Sequence, residues 1–280
     1  MTPEHGKILA DVKRALAEDV GSGDVTAALL PLDLVVMAKI ISREPMVVCG
    51  RPWVDCIFAE VDLAIHVQWQ VDEGQWLPEP ATLCQIEGPV RSILTAERSA
   101  LNFLQTLSAT ATKTREYLLK LSGYKTRLLD TRKTIPGLRY AQKYAVACAG
   151  GTNHRFGLFD AFLIKENHIK ACGSIKAAVA LARNMQKDLL VEVEVENLEE
   201  LQEALHAKPD RILLDNFTKD MLVEAVDLTR GECELEASGG LTLATVTEVA
   251  KTGVDYISIG AITKSIQAVD LSLLIDKVLD

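Results

Sequence analysis

The second half of the chain repeats one unit, a short apolar run followed by an amphipathic run, and this repeat most limits the fold. Beyond residue 125 the apolar runs predict strands at 126–129, 161–164, 190–195, 211–214, 234–237 and 256–259. Amphipathic runs between them predict helices at 175–185, 198–207, 219–227 and 243–251. Repeated βα units predict a parallel sheet, which right-handed crossovers close most simply into a barrel. An open doubly wound sheet is the alternative, but no G-x-G-x-x-G follows the first strand, so a dinucleotide site has no support.

The first part of the chain follows other patterns. A helix is predicted from residue 8 to the glycines of GSGDVT, and Pro52 begins a short second helix. Apolar or alternating runs predict strands at 34–41, 65–70 and 82–86. Together these elements predict a small antiparallel sheet with helices, an α+β layer. Beyond Val90 an apolar stripe predicts two helices, or one helix with a break at SATAT.

Composition excludes several classes of protein. A chain of 280 residues with 48% hydrophobic residues can bury a large core, and none of its apolar runs reaches membrane-spanning length. The net charge of -9 argues against nucleic acid as a partner. Six cysteines lie far apart without a C-x-x-C, which is typical of reduced thiols rather than of a zinc site or a disulfide framework. The N-terminus carries acidic residues, unlike a signal peptide, so we expect a cytoplasmic protein.

One segment, 128–170, concentrates positive charge in this acidic chain. Its cationic side chains are Arg132, Lys133, Arg139, Lys143, His154, Arg155, Lys165 and Lys170. DTRKT follows an apolar strand and NHR follows two glycines, so both motifs are predicted in loops, where binding groups concentrate. Solvated surface charges are the alternative explanation. We predict instead a pocket that neutralises a small polyanion.

Acidic residues stand on the third of the predicted barrel strands. Glu192, Glu194 and Glu196 alternate with valines, and they are predicted to point into the barrel if the valines face the helices. Buried acids must be paired, protonated or bound to metal. Lys133 and Lys165 are the natural partners for these carboxylates.

The ends of the later strands complete a set of polar groups where barrels build their active sites. Asp215 follows the fourth strand, and together with Glu194 it is a candidate to hold Mg²⁺ or sugar hydroxyls. The last two strands end in Ser238-Gly239-Gly240 and Gly260-Ala261. Their bare backbone N–H groups suit a phosphate, although a single glycine loop is more often only a tight turn.

Several long motifs resemble those of quinolinate phosphoribosyltransferase. They are EDVGSGDVT, AERSALNFLQTLSATAT, DTRKTIPGLR, GGTNHRFGLFDAFLIKENHI, VEVEVENLEEL, ILLDN, EASGG and YISIGAIT, and they extend over nearly the whole chain. The resemblance implies an N-terminal α/β (open-faced sandwich) domain followed by an incomplete seven-stranded parallel α/β barrel. We place the first domain at 1–107 and the barrel at 108–266, with the tail 267–280 packing on the first domain. A homodimer with its site at the subunit interface is also implied, with Mg²⁺ as the cofactor.

The resemblance further implies a reaction and the residues that serve it. Quinolinate and 5-phosphoribosyl-1-pyrophosphate would give nicotinate mononucleotide, pyrophosphate and CO₂. The residues implied for quinolinate are Arg98, Arg132, Lys133, His154, Arg155 and Lys165, with Arg98 contributed across the dimer interface. The residues implied for the ribose, Mg²⁺ and the 5-phosphate are Glu194, Asp215, Ser238, Gly239, Gly240, Gly260, Ala261 and Lys264. The catalytic residues among these would be Lys133, Lys165, Glu194 and Asp215.

One position departs from the pattern of the resemblance. Lys264 follows SIGAIT where many relatives have histidine, so its assignment to the phosphate is the weakest of the set. Two alternatives stay open, a related transferase that uses another base and a barrel that binds phosphorylated ligands without catalysis. Intact RKT and NHR motifs and both acids favour the quinolinate enzyme.

Overall fold

The computed structural model describes residues 3–279, which divide into two compact units. The first unit comprises the chain up to Arg115, the segment Ile135–Gly150 and the chain from Ile262 onward. The second unit comprises Glu116–Thr134 and Gly151–Ala261. None of the helices within residues 3–279 is long and apolar enough to cross a membrane.

The elements alternate along the chain in the predicted order. The helices are α1 (His5–Val20), α2 (Arg51–Val61), α3 (Val90–Lys120), α4 (Arg139–Cys148), α5 (Glu166–Cys172), α6 (Ile175–Met185), α7 (Leu198–Ala207), α8 (Lys219–Thr229), α9 (Val246–Ala250) and α10 (Ala261–Lys264). The strands are β1 (Val35–Ser42), β2 (Met46–Val47), β3 (His66–Trp69), β4 (Trp76–Leu77), β5 (Thr82–Pro89), β6 (Arg127–Leu129), β7 (Phe162–Ile164), β8 (Val191–Val195), β9 (Arg211–Asp215), β10 (Glu234–Ser238), β11 (Tyr256–Ser258) and β12 (Leu271–Leu279).

The first unit is built on an antiparallel sheet with the strand order β12-β1-β5-β3. Alternate residues of β1 are buried, among them Val36, Ala38 and Ile40, because only one face of the strand is covered. The C-terminal strand β12 pairs with β1 along its length, from Val35 opposite Leu279 to Ser42 opposite Leu271. The tail of the chain is therefore a strand of the first unit.

Helix α3 corrects one expectation, because it runs unbroken for 31 residues through the SATAT segment. The small residues there predicted a break, but they are buried and their hydroxyls are bonded inside the protein. Thr110, and Thr114 just beyond the segment, donate to the carbonyls of the preceding turn, at 3.2 and 2.8 Å. Ser108 Oγ donates to the Cys49 carbonyl at 3.1 Å and accepts from the Cys49 N–H at 3.0 Å. Small side chains here serve close packing rather than helix termination.

The second unit confirms the six predicted barrel strands, which form one parallel sheet with the order β6-β11-β10-β9-β8-β7. A single parallel bridge joins Leu129 of β6 to Thr152, just before NHR. This bridge stands where a seventh strand would lie, and one bridge is too short for a periodic pattern to reveal it. Within residues 3–279 the sheet is not closed between Thr152 and β7, so the barrel is incomplete.

The end of the barrel shows a smaller correction. Helix α9 is shorter than the predicted 243–251 and begins at Val246. Thr245 Oγ1 accepts the N–H of Thr242 at 3.0 Å, so the residues before α9 form a hydrogen-bonded turn instead of a helical one.

Candidate active site

A cavity of about 320 Å³ opens at the carboxyl ends of the second unit's strands. Its lining residues are Thr131, Arg132, Lys133, His154, Arg155, Leu163, Lys165, Glu194, Leu213, Asp215, Glu236, Ser238 and Ser258. Parallel strands deliver the residues at their carboxyl ends to one edge of the sheet, which is how distant motifs of the sequence meet here. The structure thus brings together most of the side chains that the sequence predicts for the polyanion pocket.

Cationic side chains form one wall of this cavity. Arg155 donates through Nη1 to the Ala161 carbonyl at 3.2 Å, and Lys133 is held by its N–H, which donates to Thr131 Oγ1 at 3.0 Å. Burial and the nearby charge of Arg132 lower the pKa of Arg155. Two guanidinium groups that repel each other in a half-buried wall are stabilised by an anion placed between them.

Asp130 explains why DTRK and NHR come together. It is fully buried at the end of β6, and its Oδ1 accepts the His154 N–H at 2.8 Å. Its Oδ2 accepts Nδ2 of Asn153 at 2.7 Å. Asp130 therefore ties the loop that carries Arg132 and Lys133 to the loop that carries His154 and Arg155. The sequence pattern placed Asp130 in the site but did not reveal this tether.

The acidic side of the cavity lies on β8 and β9, which are neighbours in the sheet. Glu194 forms an ion pair with Lys165, as the sequence predicts. Asp215 accepts a hydrogen bond from Nδ2 of Asn216 at 2.8 Å. Two carboxylates on adjacent strands, both open to one cavity, fit a magnesium ion that takes one or two protein carboxylates and completes its shell with phosphate and water.

The glycine loop after β10 is shaped by Asn216. Gly239 and Gly240 have φ of +100° and +57°, conformations that L side chains rarely adopt. A Cβ on Gly239 would lie 2.1 Å from Oδ1 of Asn216, whereas a Cβ on Gly240 would meet nothing within 4 Å. Gly260, after β11, lies against Lys133, because a Cβ there would be 3.1 Å from the lysine Cδ. Gly239 and Gly260 thus leave room for neighbouring site residues.

Beneath the cavity lies a buried cluster that the sequence pattern did not reveal as a unit. His154 Nε2 is 3.0 Å from Oε2 of Glu192 and 3.4 Å from Oε2 of Glu236. Arg211 Nη1 donates to Oε2 of Glu236 at 3.3 Å, and its guanidinium stacks 3.9 Å from the ring centroid of Tyr256. Glu192 is therefore paired by a histidine and not by the predicted lysines. The signal was the alternation of ELEAS, which puts Glu236 on the inner face of β10.

The cluster shifts the titration of its members. Burial lowers the pKa of His154, but its hydrogen bonds to Glu192 and Glu236 and their charges outweigh burial and raise the pKa to about 9. Burial and the charge of Glu236 raise the pKa of Glu192 to about 7. The backbone N–H of Arg155 lies 2.7 Å from Nδ1 of His154, and this contact favours a neutral ring without a proton on Nδ1. The two carboxylates favour a protonated ring instead. Nε2 carries a proton in either state of the ring.

Other cationic residues of the 128–170 segment lie elsewhere. Arg139 and Lys143 are on α4 in the first unit, where Lys143 is fully buried. Lys170, on α5, is exposed and forms an ion pair with Glu166. The cavity thus includes the cationic side chains of the two loops and Lys165, and it does not include these three side chains.

Two predicted site residues belong to the first unit. The Arg98 side chain, on α3, is 59% exposed, and its Nη2 lies 3.8 Å from Oε1 of Glu97. Lys264 ends α10 and is also exposed.

Glu196, which was predicted to point into the barrel, is exposed just beyond the end of β8. Only Glu192 and Glu194 of the three alternating glutamates face the barrel interior or its mouth.

A larger cavity, of about 410 Å³, lies in the first unit between α1, α3 and the segment around Gly137. Arg14 crosses it to the Gly137 carbonyl at 3.1 Å, and Asp11 accepts the Trp53 indole N–H at 3.2 Å. It contains none of the residues predicted for catalysis or binding. Size alone therefore does not identify the reactive site.

Comparison with known proteins decides the family. Profiles of the quinolinate phosphoribosyl transferase N-terminal and C-terminal domains match residues 24–108 and 110–274. The chain belongs to the quinolinate phosphoribosyltransferase family. The solved nicotinate-nucleotide pyrophosphorylase from Francisella tularensis superposes with a TM-score of 0.94 and 48% sequence identity, covering 98% of both chains.

Further members of the family are similar over most of their length. The probable nicotinate-nucleotide pyrophosphorylase (carboxylating) of Synechocystis sp. is 44% identical over 255 residues, which cover 89% of this chain and 86% of the relative. The chloroplastic nicotinate-nucleotide pyrophosphorylase (carboxylating) of Arabidopsis thaliana is 41% identical over 290 residues, which cover 95% and 82%. The resemblance read from the motifs is therefore confirmed for the whole chain.

Proposed function

We propose that this chain transfers the phosphoribosyl group of 5-phosphoribosyl-1-pyrophosphate to quinolinate and releases pyrophosphate and CO₂, forming nicotinate mononucleotide. Membership in the quinolinate phosphoribosyltransferase family supports the reaction. The structural observation that carries the proposal is a single cavity with Arg132, Lys133 and Arg155 on one side and Glu194 and Asp215 on the other. Such a cavity suits two anionic substrates that react through a cationic transition state.

Quinolinate binding is assigned to the cationic wall. Quinolinate is a dicarboxylate, and the guanidinium groups of Arg132 and Arg155 are suited to bidentate contacts with carboxylates. Lys133 and Lys165 complete the wall as point charges, and His154 lines it from below. A substrate that lacks one carboxylate would leave a buried guanidinium unpaired, so the site should discriminate against nicotinate.

The ribose and its leaving group are assigned to the acidic side. Departure of pyrophosphate leaves oxocarbenium-like charge on the ribose, which the Glu194 and Asp215 carboxylates stabilise electrostatically. A magnesium ion, when bound there, neutralises the leaving pyrophosphate. We assign the 5-phosphate to the backbone N–H groups of Ser238, Gly239 and Gly240 and of Gly260 and Ala261.

Loss of CO₂ follows transfer of the ribose to the ring nitrogen. Once alkylated, the pyridine nitrogen is cationic and accepts the electron pair left on the adjacent carbon, and a proton then takes the place of CO₂ there. The ring itself therefore supplies the electron sink, and the residues of this chain act by binding and by charge. We assign to Arg132 and Arg155 the binding of the second carboxylate while the first is lost as CO₂.

The assembly and location are also proposals. We propose a homodimer in which Arg98 completes the partner's pocket, because this exposed arginine lies on α3 in the first unit and the resemblance of the motifs implies such a role. We propose a cytoplasmic location from the reduced cysteines, while noting that the Arabidopsis relative is named chloroplastic.

One assay tests the reaction. Purified protein with Mg²⁺, quinolinate and 5-phosphoribosyl-1-pyrophosphate should release pyrophosphate, and nicotinate in place of quinolinate should release far less. Comparable kcat/KM for the two acids would mean that the enzyme uses another base. Absence of pyrophosphate release with either acid, from folded protein, would favour a binding barrel without catalysis.

A further inference from the structure

The two acids beneath the cavity have fewer hydrogen-bond partners than their carboxylate oxygens can accept. Glu192 and Glu236 are both fully buried. Apart from the His154 contact, neither carboxylate oxygen of Glu192 has a hydrogen-bond partner among residues 3–279, and Oε1 of Glu236 also lacks one. His154 and Arg211 offset only part of the cost of burying these two carboxylates, and apolar side chains would fill this part of the barrel without that cost. A stabilising role alone does not explain them.

Both carboxylates converge on one atom of the NHR loop. Glu192 on β8 and Glu236 on β10 both contact Nε2 of His154, and β9 lies between these two strands in the sheet. On the other side of the ring, Nδ1 of His154 accepts the backbone N–H of Arg155. The backbone N–H of His154 donates to Asp130. The ring therefore lies between the buried carboxylates and the backbone that presents the Arg155 guanidinium.

Besides its tie to Asp130, this loop borders a second cavity. It measures about 280 Å³ and is lined on one side by Asn153, His154 and Arg155 and on another by Glu192 and Arg211. His154 and Arg155 also line the candidate active site. These two residues thus separate two cavities, next to the place where the sheet is not closed, and a thin partition needs an anchor to keep a fixed position.

We propose that Glu192 and Glu236 are positioning residues for quinolinate, which act through His154 by fixing its Nε2–H and thereby the place of Arg155 in the carboxylate-binding wall. The proposal rests on the proposed function, since it concerns binding of that substrate. Glu192 is paired with His154 and Glu236 with both His154 and Arg211, so a cavity for dianions tolerates these acids even though Glu236 also lines it.

The test compares Glu192→Gln with Glu234→Gln in the full-length enzyme. Glu234 is the matched control, because it is exposed at the start of β10 and contacts the same Arg211 at 3.2 Å and the Tyr256 hydroxyl at 3.0 Å. Glu192→Gln should raise KM for quinolinate roughly tenfold or more, as expected for loss of a charge-assisted hydrogen bond, and should leave KM for the phosphoribosyl donor nearly unchanged. Glu234→Gln should leave both values near those of the wild type.

A double-mutant cycle shows whether the effect passes through His154. In a His154→Ala background, Glu192→Gln should cause no further rise in KM for quinolinate. An additive rise, or an equal rise in both KM values, would overturn the proposal, since either would show general damage to the barrel. If Glu192→Gln does not fold, Glu236→Gln is measured in the same cycle with the same expected outcome.

A measurement without substrate separates this inference from the proposed function. In ¹⁵N spectra of the substrate-free proteins, the His154 imidazole signals are identified as those missing from His154→Ala. In the wild type these signals should show a proton on Nε2. In Glu192→Gln the proton should exchange between Nδ1 and Nε2. A bare Nε2 in the wild type would overturn the anchoring whether or not quinolinate is the substrate. A wild-type protein with the expected Nε2–H that neither binds quinolinate nor releases pyrophosphate would instead overturn the proposed function.

Discussion

Lys165 forms an ion pair with Glu194 and so joins the carboxyl ends of the neighbouring strands β7 and β8. Asp215, at the end of the next strand, is bonded by the Asn216 amide instead. The two carboxylates of the cavity therefore have different partners, one a full positive charge and the other a neutral dipole. Asp215 carries the less compensated charge, which suits it to contact a cation.

Both carboxylates should matter for the chemical step. Glu194→Gln and Asp215→Asn keep the size of the side chain but remove its charge, so each should lower kcat by at least about tenfold if the charge stabilises the transition state. Steady-state kinetics give kcat, and circular dichroism shows whether the variants are folded. Folded variants that turn over at the wild-type rate would show that these acids serve the structure only.

The Gly239 loop offers a prediction with an internal control. An alanine at Gly239 would place Cβ 2.1 Å from the Asn216 amide oxygen, so Asn216 must move and with it the hydrogen bond to Asp215. Gly240 has a positive φ of +57° but open space around Cβ, so Gly240→Ala should cost only the backbone strain of about 1–2 kcal/mol. Gly239→Ala should therefore raise KM for the phosphoribosyl donor clearly more than Gly240→Ala. Equal effects would mean that Asn216 does not shape this loop.

Stability should fall with pH in a window set by His154. Its pKa is about 9 in the folded chain and 6.5 when unperturbed, so its contribution is complete below pH 6.5 and is lost as pH rises through 9. The pKa of Glu192 is raised from 4.5 to about 7, so this group lowers stability as pH rises mainly between pH 4.5 and 7, and it overlaps the His154 window only at its lower end. Chemical unfolding at pH 7 and at pH 9.5 should show a decrease in the free energy of unfolding that is smaller in His154→Gln. If the Arg155 N–H keeps the ring neutral, the two proteins will show the same decrease.

The fold was predictable where the pattern is periodic. The six barrel strands and α6 and α7 follow from apolar alternation, because each βα unit buries one continuous face. The seventh strand position was not predictable, because the single bridge at Thr152 is too short to show a periodic pattern. The prediction of a break at the SATAT segment of α3 was wrong, because small hydroxyl side chains often indicate a helix end. Their hydrogen-bond partners in the tertiary structure cannot be read from the sequence.

The site was predictable in its residues but not in its connections. Barrel geometry and charge selected Arg132, Lys133, Glu194 and Asp215, since strand ends meet at one edge of the sheet. Pairing could not be read from the sequence, because Glu192 and His154 lie 38 positions apart and meet only through the sheet order. The tether from Asp130 to the NHR loop is hidden in the same way.

The predicted role of Arg98 requires a partner subunit. Its side chain is mostly exposed and, of the described residues, only Glu97 is recorded as an ion-pair neighbour, at 3.8 Å. We propose that this arginine lies in the pocket of a partner subunit, where its charge would complete the quinolinate clamp. A two-fold axis would then create two shared sites, each incomplete in a lone subunit.

Subunit mixing tests this arrangement. Arg98→Ala and Lys133→Ala should each be nearly inactive, because each removes one cationic group from both sites of a dimer. Free exchange makes about half of the dimers mixed, and each mixed dimer has one intact site of two, so roughly a quarter of wild-type activity should return. The two variants are mixed, partially unfolded and refolded, and native mass spectrometry confirms that mixed dimers have formed. Each variant refolded alone is the control and should stay inactive. Mixed dimers without recovered activity would place Arg98 at its own chain's pocket, or at an interface alone.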